Sequence, residues 1–92
     1  MTEKEQWIID YISNLEMVKA VDILDEEFVN AFIKNFNPKY EITLIGAYRC
    51  KELSLLLGKM YKKCLLNRCV IGLRDGAWQD GFPKWVYSYS LF

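Results

Sequence analysis

The stretch AYRCKELSLLLGKMYKKCLLNR, Ala47 to Arg68, decides the fold. Leu53, Leu56, Leu57, Met60, Tyr61 and Cys64 recur in it at helical spacing, while Arg49, Lys51, Lys59, Lys62 and Lys63 lie mostly off that stripe. This period predicts an amphipathic helix over about residues 48–63, closed by Leu65-Leu66-Asn67-Arg68. The period then drops to two. Cys69, Ile71 and Leu73 alternate with Arg68, Val70, Gly72 and Arg74. After the turn-rich segment Asp75 to Pro83, Trp85, Tyr87, Tyr89 and Leu91 alternate with Val86, Ser88 and Ser90. Two alternating runs around a Gly-rich loop predict an antiparallel hairpin over about residues 68–91. Its aromatic and β-branched content favours strands.

Outward toward the N-terminus, Pro38 closes a second helical pattern. Phe28, Val29, Phe32, Ile33 and Phe36 share one face there, with Asp25 as N-cap and Glu26 and Glu27 in the first turn, where negative charge suits the helix dipole. Tyr40 to Gly46 reads equally as a short strand, a loop or a helical turn. Val18 to Leu24 is short and β-branched, an extended link. Before it, Lys4 to Leu15 places Trp7, Ile8, Tyr11, Ile12 and Leu15 on a broad apolar face, with Glu5, Asp10, Ser13 and Asn14 opposite. The fold class expected is therefore α+β: one domain over residues 1–92, three helices followed by a hairpin.

Composition bounds what such a domain does. With 92 residues, 52% hydrophobic and 26% charged, the chain is long enough for one core and too apolar for disorder. No apolar run reaches the ~18–20 residues of a membrane span, and the charged start Met1-Thr2-Glu3-Lys4-Glu5 lacks a secretory apolar stretch, so a cytoplasmic protein with no membrane partner is expected. The absence of histidine removes Ser-His and Cys-His catalysis, and the acidic cluster Asp22, Asp25, Glu26 and Glu27 has no partner base or metal-ligand spacing. No enzyme activity, metal, cofactor or small-molecule substrate is expected. Cys50, Cys64 and Cys69 form no Cys-x-x-Cys pair; they read as small buried hydrophobes, with an intermolecular disulfide as the alternative. The net charge of zero hides a split. Residues 1–30 hold two lysines against eight carboxylates, a net −6, and residues 31–92 hold ten bases against four, a net +6. One basic face could meet phosphate.

The order helix, extended link, helix, helix, hairpin resembles the winged helix-turn-helix superfamily of DNA-binding proteins, of the small microbial or viral transcription-regulator type. The stretch from Ala47 to Arg68 is similar to that superfamily's recognition helices, which commonly run Leu-x-x-x-Leu-x-x-Met/Leu, two charges, Gly-Leu-Leu/Ile-x-Arg. Gly81-Phe82-Pro83-Lys84-Trp85-Val86-Tyr87-Ser88-Tyr89-Ser90-Leu91 is similar to wings written Gly-Arg-Pro-x-x-Val-Tyr-x-Leu. The likeness spans about residues 5–91, with motif-level detail only from Ala47 onward. Two positions depart from it. Cys64 stands where Gly usually ends the helix, which favours a helix running on toward Asn67. Phe82 stands where a wing often carries Arg.

The resemblance implies a sequence-specific regulator that binds double-stranded DNA, probing the major groove with the third helix and using the 68–91 hairpin as wing. With Leu53, Leu57 and Met60 inward, Tyr48, Arg49, Lys51, Glu52, Leu55 and Lys59 face outward. Arg49 would then pair with guanine, and Lys51, Lys59 and Lys62 with phosphates. Arg74, Gln79, Lys84 and Trp78 are the wing candidates. Gly58, mid-helix, is read as a close approach of another helix or of the DNA backbone. Trp7 and Tyr11 are candidates for a homodimer interface, or else Trp7 caps the monomer's core. The rival reading is a winged-helix module that binds other proteins and not DNA.

Overall fold

A computed structural model describes residues 1–44, 46–72 and 85–92. Helix α1 spans Glu3–Ser13, strand β1 Ala20–Val21, α2 Glu26–Phe36, β2 Glu41–Ile42, β3 Tyr48–Arg49, α3 Lys51–Lys62, β4 Asn67–Gly72 and β5 Trp85–Ser90. The described residues form a small α+β domain of three helices and antiparallel sheets. β5 lies between β1 and β4, with Arg68 opposite Tyr89, Val70 opposite Tyr87, and Val21 also opposite Tyr89. The extended link thus becomes the third strand of the hairpin's sheet. A second, two-stranded sheet pairs β2 with β3.

The core follows the apolar stripes. Ile8 and Ile12 of α1, Phe28 and Phe32 of α2, and Leu53, Leu57 and Met60 of α3 are fully buried, with Val21 and Tyr89 closing the sheet side. Each such side chain stabilises the fold by about 1.5–3 kcal/mol relative to exposure. Trp7 is the hub of an aromatic cluster, its ring centre 5.3 Å from Tyr11, 5.7 Å from Phe32 and 5.6 Å from Phe36. Both Trp7 and Tyr11 are partly buried in this cluster.

Three local expectations change. Glu5, assigned to the polar side of α1, is 1% exposed. Thr2 is the N-cap: its hydroxyl accepts from the Glu5 N–H at 3.2 Å, and the Thr2 N–H donates to Glu5 Oε1 at 2.8 Å. This reciprocal pair satisfies two amides that a helix start otherwise leaves open. The other carboxylate oxygen accepts from Lys63 Nζ at 2.9 Å, tying α1 to the end of α3. The Thr2 N–H first, and the Lys63 ammonium second, hold the Glu5 carboxyl at about 2 instead of 4.5, against the opposing pull of burial. A depressed folded-state value means stability present above the ordinary carboxylate range and lost as pH falls through the folded one. Thermal melts should therefore show a loss of Tm from about pH 4.5 down to about pH 2 that is smaller in Glu5→Gln.

The second change is at the end of α3. The helix stops at Lys62 and does not run on to Asn67, because Cys64 itself takes the left-handed conformation at φ 62°. Its N–H bonds the Tyr61 carbonyl at 3.0 Å, and the Leu65 N–H reaches back to Met60 at 2.9 Å. This double closure satisfies the last carbonyls and buries Leu66, which outweighs the cost of a Cβ at positive φ. Cys64→Gly should stabilise the domain by about 1 kcal/mol in urea denaturation. The thiols also sort differently: only Cys50 is buried, while Cys64 and Cys69 are exposed.

The third change is at the start of α3. The helix begins at Lys51, so Tyr48 and Arg49 belong to β3 and not to the helix. Their backbone pairs with Ile42 and Glu41, and a tight turn precedes them, in which Gly46 adopts φ 83° and donates to the Thr43 carbonyl at 2.9 Å. Tyr40 and Tyr48 meet edge to face at 5.2 Å, and Cys50 Sγ–H donates to the Lys39 carbonyl at 3.6 Å, fixing the base of this small hairpin. Residues 41–42, ambiguous in sequence, are thereby a strand.

Candidate nucleic-acid interface

Burial fixes which way α3 faces. Leu53, Leu57 and Met60 point into the core, so the opposite side of the helix carries Lys51, Leu55, Gly58, Lys59 and Lys62. The three lysines are exposed, and Leu55 stands 67% exposed among them. Helix α3 has one acidic residue, Glu52, and its carboxylate is held by Lys4 of α1 at 2.8 Å. The outward face therefore keeps its positive charge.

Among the described residues no side chain caps α3. Cys50, the N-cap, makes no side-chain hydrogen bond there, so the positive end of the helix dipole and first-turn amides lie beside Lys51. Arg49 and Tyr48 are exposed just before this end, on β3, and not on the helix face where the sequence placed them. Among the described residues nothing lies within 4 Å of where a Cβ at Gly58 would sit, so the reading of a neighbouring helix packed against it is corrected. Gly58→Ala should accordingly raise stability by about 1 kcal/mol, read by denaturant midpoint.

At the C-terminal end of α3 lies a group that the sequence did not single out. The Arg68 guanidinium sits between two rings, 3.9 Å from the centre of Tyr61 and 3.9 Å from that of Tyr87. Tyr87 is two positions along β5 from Tyr89, the residue opposite Arg68, which places both on one face of the hairpin. Alternation in sequence could have paired Arg68 with Tyr87 once the register was known. Tyr61 comes from a separate element and had no such signal. Arg74, Gln79 and Lys84, together with Trp78 and Phe82, lie outside the described residues.

Among the described residues there is no group of three or more Cys, Asp or Glu placed to hold a metal ion, and no helix is long and apolar enough to cross a membrane. No family model, no curated protein and no solved structure matches the chain.

Proposed function

We propose that the protein is a sequence-specific double-stranded DNA-binding regulator of winged helix-turn-helix type, which lays the outward face of α3 in the major groove. The observation that carries this reading is the exposed face of Lys51, Lys59 and Lys62 around Leu55, which has no ion pair among the described residues, with the helix's own acid tied to Lys4. Lysines on a helix face bind phosphates and position the protein. Leu55 suits the C5-methyl of thymine, which apolar side chains read. Gly58, with nothing among the described residues in front of it, admits close approach of a backbone. The order of elements supports the wing assignment, with β4 and β5 as its stem and β1 adding a third strand. Arg49, now on β3, is assigned to a phosphate or groove edge beside the start of α3. The proposal involves no catalytic step. It includes a homodimer through the solvent-facing edges of Trp7 and Tyr11, which sedimentation at micromolar concentration reads.

Selection from random duplexes at two salt concentrations tests the reading. Enrichment of a motif, with affinity falling steeply as salt rises, supports it. No duplex binding at low salt overturns it. The protein-binding alternative is favoured by one feature, the apolar β2–β3 hairpin, where Ile42 is 63% and Leu44 100% exposed.

A further inference from the structure

We propose that Arg68 is a pre-oriented clamp for one phosphodiester group at the junction of α3 and the β4–β5 hairpin. This inference rests on the DNA-binding reading and assigns to it an anchor outside the α3 lysines. The guanidinium carbon lies over both rings, 3.9 Å from the centre of Tyr61 and 3.9 Å from that of Tyr87. Stacking uses the π-faces and leaves the rim of five N–H donors, the part of an arginine that matches a phosphate bidentately.

Among the described residues that rim has no carboxylate: Lys4 takes Glu52 and Lys63 takes Glu5, and no ion pair involves Arg68. The basic side chains are thus divided by role. Lys4 and Lys63 fasten α1 to α3, whereas Arg68 is held by uncharged rings, with no carboxylate on it among the described residues.

Position fits the role. Tyr61 lies in the last turn of α3 next to Lys62, and is 38% exposed. Arg68 therefore sets a cation at the C-terminal end of α3, on the first residues of β4. A flexible surface arginine loses rotamer freedom when it is immobilised on a ligand. The two rings have already removed most of that freedom, so this arginine grips phosphate more strongly than a free one.

The test uses the full chain with Arg68→Gln and Arg68→Lys on a 20-base-pair duplex carrying the selected motif, with affinity measured from 50 to 200 mM salt. Gln keeps a planar group between the rings and removes the charge; Lys keeps the charge and removes the fork. The expected result is a salt slope shallower by about 0.9 for Arg68→Gln, one phosphate's worth. Arg68→Lys should keep the wild-type slope and bind several-fold more weakly. If Arg68→Gln binds within twofold of wild type with the same slope, the clamp is overturned and the DNA reading stands. A weakened Arg68→Gln with unchanged slope and a lower Tm also overturns it, because the arginine then only pins the hairpin to α3. If wild-type protein does not bind the duplex at 50 mM, both readings fall together.

Discussion

Replacing Lys51, Lys59 and Lys62 together by Gln should weaken duplex binding on the order of a hundredfold at low salt, from about 1 kcal/mol for each lost phosphate contact. The more decisive readout is the salt dependence. Three phosphate contacts contribute about 2.7 to the slope of log affinity against log salt. Between 50 and 200 mM the wild type should therefore lose about fortyfold more affinity than the triple variant does. All three side chains are exposed, so the variant should keep the wild-type melting curve, which separates lost contact from lost fold. If the slope stays as steep as in wild type, the cationic face of α3 does not touch the nucleic acid.

The second large effect falls on stability. Phe32→Ala should cost about 3–5 kcal/mol. Its ring is fully buried and packs at 5.7 Å from Trp7 and 5.0 Å from Phe36, so truncation removes contacts from α1 and α2 at once. A domain of this size holds only about 5–14 kcal/mol in total. Guanidinium denaturation followed by tryptophan fluorescence would show the midpoint collapse. Leaving it within 1 kcal/mol of wild type would mean that the aromatic cluster is not the structural hub. The same cluster bears on any test of a dimer through Trp7: truncation to Ala would unfold the monomer, so milder changes on the rim of Tyr11 are needed.

Sequence made the local elements visible where periodicity was long. The apolar stripes of α1, α2 and α3 and the alternation of β4 and β5 each span several turns or residues, enough for 3.6-residue and two-residue patterns to separate. Asp25 as the N-cap of α2 was also legible, since a short carboxylate before an acidic first turn has few other readings. Tyr48 and Arg49 were misplaced because helix spacing extends smoothly through them, and only pairing with Glu41 and Ile42 removes them from the helix. Glu5 was misread because its charge outranked its position, although Thr2-x-x-Glu5 is itself the spacing of a reciprocal cap. The end of α3 turned on whether Cys64 would bear a left-handed backbone, which tertiary burial of Leu66 decides and local preference does not. Of the candidate site, Lys51, Lys59 and Lys62 were legible. The Tyr61–Arg68–Tyr87 stack joins three elements and was not.

The β2–β3 hairpin has a kinetic consequence. It is held by two residue pairs, whereas β4 and β5 share six. Amide protons of Ile42 and Tyr48 should exchange with deuterium by local opening well before those of β5, and with little dependence on global unfolding. Arg49 rides on that early-opening element. Any contact it makes carries an ordering cost that the lysines on α3 escape, so its contribution to residence time on a partner should be the smaller one.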